Sequence, residues 1–175
     1  MPATRLDKHL DTEAMEFVKK NPLATLITSY HNRPHASHVP FIVVSTEESL
    51  ILVSFLRKSN KQWKHLEFED VLAIFQGESP QSLEESRTKE EYKQKGKGAF
   101  HLYGHCNIIH EREAAKSLYM QLLEEIDPVL HDKWLKSSPD RMEGVIDNIM
   151  VFEFKVESIH PVKPQHNCLI DASDN

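Results

Sequence analysis

Residues 50–76, LILVSFLRKSNKQWKHLEFEDVLAIFQ, decide the reading of this chain. LILVSF (50–55) and VLAIFQ (71–76) are apolar runs of strand length, and a cationic turn with a short helical segment separates them. The turn gathers Arg57, Lys58, Ser59, Asn60 and Lys61 where a short helix, Asn60 to Leu66, is predicted to begin. A helix N-terminus leaves backbone N–H groups unpaired and carries partial positive charge, so the arrangement suits an anion such as phosphate. The same residues also fit a surface hairpin whose charges face water.

On the N-terminal side, DTEAMEFVKK (11–20) predicts a short helix capped by Asp11 or Thr12 and stopped by Asn21-Pro22. LATLITSY (23–30) predicts a strand with Leu23, Thr25, Ile27 and Ser29 on one face and Ala24, Leu26, Thr28 and Tyr30 on the other. The turn HNRPH leads into a second strand, ASHVPFIVV (36–44). Pro40 lacks an N–H, so it marks an edge, a bulge or an opening of the ladder there. Thr46-Glu47-Glu48 makes the next turn, and VLAIFQ is apolar enough to be a central strand. Four short strands with hairpin-like links predict an antiparallel sheet that closes into a barrel.

On the C-terminal side, residues 77–98 form a polar insertion without apolar period, which reads as a long loop or a marginal helix. AFHLYGHCNIIH (99–110) returns to strand alternation, with Gly104 a candidate bulge. Residues 111–126 predict a helix with Ala114, Ala115, Leu118, Leu122 and Ile126 in one stripe. A further helix is expected from Pro139 to Ile146 with Ser138 as cap, and 149–160 forms the last long strand. The tail is expected to fray over about 165–175. The whole, 1–175, reads as a single domain, mainly β with flanking helices.

The 39% hydrophobic and 27% charged content suits a soluble globular chain, and a net charge of -6 argues against coating nucleic acid through bulk electrostatics. No helix-turn-helix pattern offers a DNA-reading surface. No apolar run approaches the roughly 20 residues that span a bilayer, and the opening MPATRLDKHLDTEAMEF lacks the apolar region of a signal peptide. A cytoplasmic protein without membrane association is the expectation. Cys106 and Cys168 are far apart in sequence and suit packing roles. The 11 histidines do not fall at metal-ligand spacings: His31, His35 and His38 surround Pro34, and His101 and His105 share one face of a strand. No metal site is expected.

The order of elements resembles the FMN-binding split β-barrel superfamily, which includes the pyridoxamine 5'-phosphate oxidases, and within it the PaiB-like FMN-binding negative transcriptional regulators. MEFVKKNPLATLITS, PHASHVPFIV, SNKQWKHL and VLAIFQGE carry the likeness over 16–78. YGHCNIIHE with EAAKSLYMQLLEEI, and MVFEFKVESIHPV, extend it more loosely over 99–163. The charged run 80–98 departs from the regulator pattern, which is rich in Tyr, Trp and Pro there, and Lys163 to Asn167 only echo a later signature.

The resemblance implies an antiparallel split β-barrel, FMN as cofactor, and a homodimer with the flavin at its interface. Ser59-Asn60-Lys61 resembles the Ser-x-Lys that contacts FMN phosphate in oxidase-type members. Arg57 can grip phosphate bidentately beside them, and Gln62 continues the segment. Ser37, His38, Val39 and Pro40 are expected beside the flavin ring, with His38 either a donor to it or an ordinary hydrogen-bonded histidine. Phe55 packs along the ring or in the core, and Gln76 is a candidate donor to a flavin carbonyl. Trp63 reads as a packing anchor. No nucleophile–base pair stands out, so no catalytic residue is assigned. The expected function is a flavin-dependent oxidoreductase with a small-molecule redox partner. The alternatives are an FMN-binding regulator or sensor without catalysis, and a haem-binding split barrel with His101, His105 or His166 as axial ligand.

Overall fold

A computed structural model describes residues 8–44, 49–68, 70–78 and 97–162. Seven strands form one antiparallel sheet in the order β2-β1-β5-β6-β7-β4-β3. They are β1 (Leu23–Tyr30), β2 (Arg33–Pro40), β3 (Ile42–Val43), β4 (Ile51–Arg57), β5 (Val71–Glu78), β6 (Lys97–Ile108) and β7 (Ile149–Val162). The two edge strands, β2 and β3, are successive parts of one segment. Its first part pairs with β1, Leu23 opposite Pro40, and its second with β4, Ile42 opposite Val53. The sheet thereby closes on itself as a split barrel.

Pro40 stands where the segment changes partner, so its missing N–H opens the ladder as the sequence suggests. The Phe41 N–H donates to Pro22 O at 2.8 Å, and Ser54 Oγ donates to Pro40 O at 2.7 Å across the split. The expected strand 36–44 is therefore two strands, and it starts earlier, at Arg33. The hairpin before it has only two turn residues, His31 and Asn32, with φ of 50° and 59°. Positive φ at both central positions matches the twist of paired strands, and Asn tolerates it well.

The barrel interior holds one core that includes Leu26, Leu52, Phe75 and Leu102. Phe41 lies at its centre, with ring centroids 5.5, 6.0 and 6.2 Å from those of Phe75, Phe152 and Phe154. Helix α1 (Lys8–Lys20) adds Ala14, Phe17 and Val18 to this core. It begins at Lys8, so Asp11 and Thr12 lie within it rather than capping it; no Gly or Pro interrupts the segment from 8 to 20. Outside the barrel, α2 (Arg112–Ile126), α3 (Pro128–Leu135) and α4 (Pro139–Ile146) build a second core with Ile42, Val53, Ile149 and Val151.

The buried stripe of α2 is Ala115, Tyr119, Leu122 and Leu123, so the expected stripe is rotated and Ala114, Leu118 and Ile126 are half-buried. Helix α3 was not expected, because none of its residues is fully buried and its apolar period is weak. Its start was nonetheless encoded: Pro128 opens it, and the Asp127 carboxylate accepts the Leu130 N–H at 3.0 Å. Ser138 stands at the α4 N-cap without a side-chain cap bond. Arg112 bridges to Glu143 and Asp147, and Lys116 Nζ meets Glu143 at 2.8 Å, which clamps α2 to α4.

The bulge expected at Gly104 is present, with the extra residue on the partner strand. Tyr103 lies opposite Ser158 and Gly104 opposite Val156, which leaves Glu157 of β7 over. Cys106 is buried, and desolvation pushes its thiol pKa up, which suits an inert packing role. No described helix is long and apolar enough to cross a membrane. Most of the polar insertion (79–96), the turn 45–48, and the tail from 163 with His166 and Cys168 lie outside the described residues.

A Cβ at position 104 would meet the Lys155 carbonyl oxygen at 2.0 Å, whereas one at Gly144 in α4 would meet nothing within 4 Å. Gly104→Ala is expected to lower the urea-unfolding free energy by about 1–3 kcal/mol or more. Gly144→Ala should raise it by about 0.5–1 kcal/mol through reduced backbone entropy of the unfolded chain.

The Lys116 ammonium and then the Arg112 guanidinium hold the Glu143 carboxyl below its ordinary 4.5. The folded pKa lies below the unfolded one, so this stability is present above the ordinary range and is lost as pH falls through the folded value. Thermal melting should therefore drop below pH 4.5 more steeply for the native chain than for Glu143→Gln.

Candidate functional site

Strand β4 leaves the barrel at Arg57, and the chain turns through Lys58, Ser59 and Asn60 into a 3-10 helix, Lys61–His65. Backbone bonds fix the turn: the Asn60 N–H donates to Arg57 O and the Lys58 N–H to Asn148 O, both at 2.9 Å. Trp63 Nε1 donates to Lys58 O at 3.1 Å while its indole packs on the barrel core beside fully buried Leu66. Trp63 is thus an anchor that closes the turn.

The expected helix is a single five-residue 3-10 segment. It is too short to carry an appreciable macrodipole, and the N–H of Gln62 is already accepted by Asn60 Oδ1 at 3.0 Å. Attraction for an anion here comes from side-chain cations rather than from a helix end. Arg57, Lys58 and Lys61 are exposed and have no carboxylate partner among the described residues, and Ser59 is exposed between them.

Beneath these cations lies a buried polar network centred on Gln62, which is 4% exposed. Its Nε2 donates towards Leu26 O (3.1 Å), Thr28 Oγ1 (3.2 Å) and His35 O (3.1 Å). Its Oε1 accepts from Ser37 Oγ at 2.5 Å, and Ser37 Oγ accepts from Asn60 Nδ2 at 2.7 Å. One amide therefore ties the turn to β1 and β2. Buried polar groups that are fully paired rigidify their surroundings. Thr28, 1% exposed, is the member that sequence reasoning did not single out. The signal was a hydroxyl at an inward position of β1, in register with Ala24 and Leu26.

The structure distributes the sequence-derived candidates unevenly. Ser37, Asn60 and Gln62 join in one network, with Arg57, Ser59 and Lys61 on the turn above it. Val39 is buried in the barrel core. Phe55 is half-buried under α2, edge-on to Tyr119 at 5.1 Å. Arg57 lies on the same face of β4. Burial raises the Tyr119 pKa and the Arg57 charge opposes that rise, which makes Tyr119 a second neighbour of the turn that sequence reasoning missed. His38 and Gln76 are exposed on the outer side of the sheet, and Pro40 is half-buried beside them. Gln76 is five residues beyond Val71 on β5, or about 17 Å along the strand. An open groove between α1 and α2, lined by Met15, Val43, Ile51 and Leu118, lies away from the turn.

A family model described as "Putative FMN-binding domain" matches residues 4–158. The chain belongs to this FMN-binding family. FMN is the cofactor that membership assigns. A curated PaiB-like relative, "Protease synthase and sporulation protein PAI 2" of Bacillus subtilis (strain 168), is 29% identical over 153 residues, which span 84% of this chain and 72% of the relative. Among solved structures, the flavocytochrome Anf3 of Azotobacter vinelandii aligns with a TM-score of 0.62 at 12% identity, over 93% of this chain and 69% of that one. A "Putative Pyridoxamine 5'-phosphate oxidase" from Listeria innocua aligns with a TM-score of 0.53 at 12% identity, over 87% and 97%. At such identities the structural likeness concerns the fold, the pyridoxamine 5'-phosphate oxidase-like split barrel.

The free cations fit a phosphate-bearing cofactor, and the buried amide supplies the rigidity such a site needs. Gln62→Leu removes that amide and leaves Leu26 O, His35 O and Ser37 Oγ short of a partner. Its expected cost is about 2–3 kcal/mol in urea unfolding. FMN affinity should fall in the same variant under conditions where circular dichroism still reports a folded chain.

Proposed function

We propose that this chain is an FMN-dependent oxidoreductase acting on a small molecule, holds the FMN phosphate with Arg57, Ser59 and Lys61, and works as a homodimer. The observation that carries the reading is the turn itself. Three cations in five residues have no described carboxylate partner, yet Asn60, Gln62 and Trp63 hold their backbone in place. A site fixed before the ligand arrives loses less entropy on binding. Arg57 suits two phosphate oxygens at once, Lys61 adds a point charge and Ser59 a short donor.

Bound FMN supplies one- and two-electron chemistry, while the protein binds, orients and tunes it. Gln62 and Ser37 act through Asn60 as positioning residues. A second subunit would cover what one barrel leaves open. Family membership and the fold support this reading.

A second reading, an FMN-binding regulator or sensor without catalysis, draws on the sporulation relative. The net charge of -6 disfavours DNA binding through this chain alone. A haem reading draws on the flavocytochrome neighbour. Of the histidines considered for it, His101 and His105 lie on the outer side of β6, and His105 already faces Asp70 at 3.6 Å and Glu157 at 3.3 Å.

Titration of the apo-protein should show FMN binding far more tightly than riboflavin. Arg57→Ala and Lys61→Ala should each weaken FMN by about 10–100-fold, as loss of a charge-assisted contact worth roughly 1.5–3 kcal/mol implies. Riboflavin affinity should be unchanged in both. Equal affinity for riboflavin and FMN would remove the phosphate assignment. A reduced nicotinamide should bleach the bound flavin and an added acceptor restore it. Flavin that no donor reduces, with salt-sensitive binding to a specific DNA fragment, would favour the regulator.

A further inference from the structure

The helical layer buries a tyrosine whose hydroxyl the fold leaves unused. Tyr119 lies in the buried stripe of α2, between Ala115 and Leu122–Leu123, and is 6% exposed. A buried phenol normally finds a partner for its O–H, because dehydrating the group costs free energy. No described residue exchanges a hydrogen bond with this one. Trp134 Nε1 is the only fully buried side-chain polar atom without a partner among the described residues. The Tyr119 hydroxyl therefore sits in the small surface that the residue retains, and the rest of its ring is covered.

That surface adjoins the cationic turn. Strand β4 directs Leu52, Ser54 and Leu56 to the barrel interior, so alternation directs Val53, Phe55 and Arg57 to the helical layer. The Tyr119 ring meets Phe55 edge-on at 5.1 Å. Arg57 follows on the same face, about 7 Å farther along the strand. Burial raises the Tyr119 pKa and the Arg57 charge pulls against that rise, so the guanidinium is close enough to act on the phenol. The turn is fastened to the same layer. The Lys58 N–H donates to Asn148 O at 2.9 Å, and Asn148 Nδ2 donates to Gly144 O of α4 at 2.7 Å. The phenol and the guanidinium are thus held side by side by packing that involves neither polar end.

We propose that the Tyr119 hydroxyl is a further donor to the FMN phosphate, offered from α2 beside Arg57, Ser59 and Lys61 of the turn. A phosphate monoester presents three terminal oxygens, and one guanidinium fork satisfies two of them. A phenol adds a donor without adding charge, so it does not increase the repulsion among Arg57, Lys58 and Lys61. Its ring is packed on Phe55 before any ligand arrives, so it loses little rotamer freedom on binding, unlike the exposed lysines. The same burial keeps the phenol protonated and able to donate at neutral pH.

This inference rests on the phosphate reading of the turn, and one set of titrations separates the two. The full apo-chain, native and Tyr119→Phe, is titrated with FMN and with riboflavin, and each apo-chain is unfolded in urea. The substitution keeps the ring on Phe55 and removes a hydroxyl that has no described partner, so the urea midpoint should not change. FMN affinity should fall about 10-fold, as loss of one donor to a charged acceptor implies, while riboflavin affinity stays the same. A native preference for FMN over riboflavin that Tyr119→Phe retains in full overturns the inference and leaves the phosphate role of the turn standing. A lowered urea midpoint, or equal weakening of both flavins, assigns the hydroxyl to packing and overturns it as well. A native chain with no preference for FMN overturns the phosphate reading itself, and this inference with it.

Discussion

The double use of residues 33–43 is the constraint on which the rest of this structure depends. One segment gives its first part to β1 and its second to β4, so the sheet has an inside. Phe41, at the change of partner, fills the centre of that inside against three other rings. Pro40 suits the change because a residue without an N–H loses little where the ladder is interrupted. Closure also sorts the outside into two regions: β3, β4 and the start of β7 lie under helices, while no described helix covers the outer side of β2, β1, β5 and β6.

The candidate site follows from the same closure. Curling the sheet brings β2 close to the turn after β4, and there a single amide joins them. Gln62 reaches Leu26, Thr28, His35 and Ser37, from 25 to 36 residues away in sequence. Such a network is costly when half-made and rigid when complete, so it fixes the position of the turn that carries Arg57, Ser59 and Lys61. Cationic groups held apart with no carboxylate between them are electrostatically unfavourable in isolation.

Charge is distributed by region rather than evenly. The helical layer is laced by Arg112, Lys116, Glu143 and Asp147 and faces water. The turn is cationic. The outer side of the sheet carries His38, His101 and His160 in one row across the strands. The first pattern clamps helices together, and the second leaves several cations side by side on one turn.

Strand identity was legible in the sequence wherever alternation was unbroken. LATLITSY is β1 at its stated bounds, VLAIFQ is central between β1 and β6, and Gly104 marks the bulge. These depend on period and on local backbone geometry, which neighbouring residues set. The cationic turn was legible for the same reason, since its residues are contiguous. Other features arise between distant residues and leave little local trace. The network at Gln62 was not legible, because nothing nearby in sequence shows that Thr28 and Ser37 converge on it. The segment after Asn60 is a 3-10 turn because Trp63 and Leu66 must reach the barrel core within five residues. The histidine row exists only through pairing, because His38, His101 and His160 share a line once β2, β1, β5, β6 and β7 are laid side by side. Composition and period thus settled which residues form strands, while only closure of the sheet decided which side chains meet.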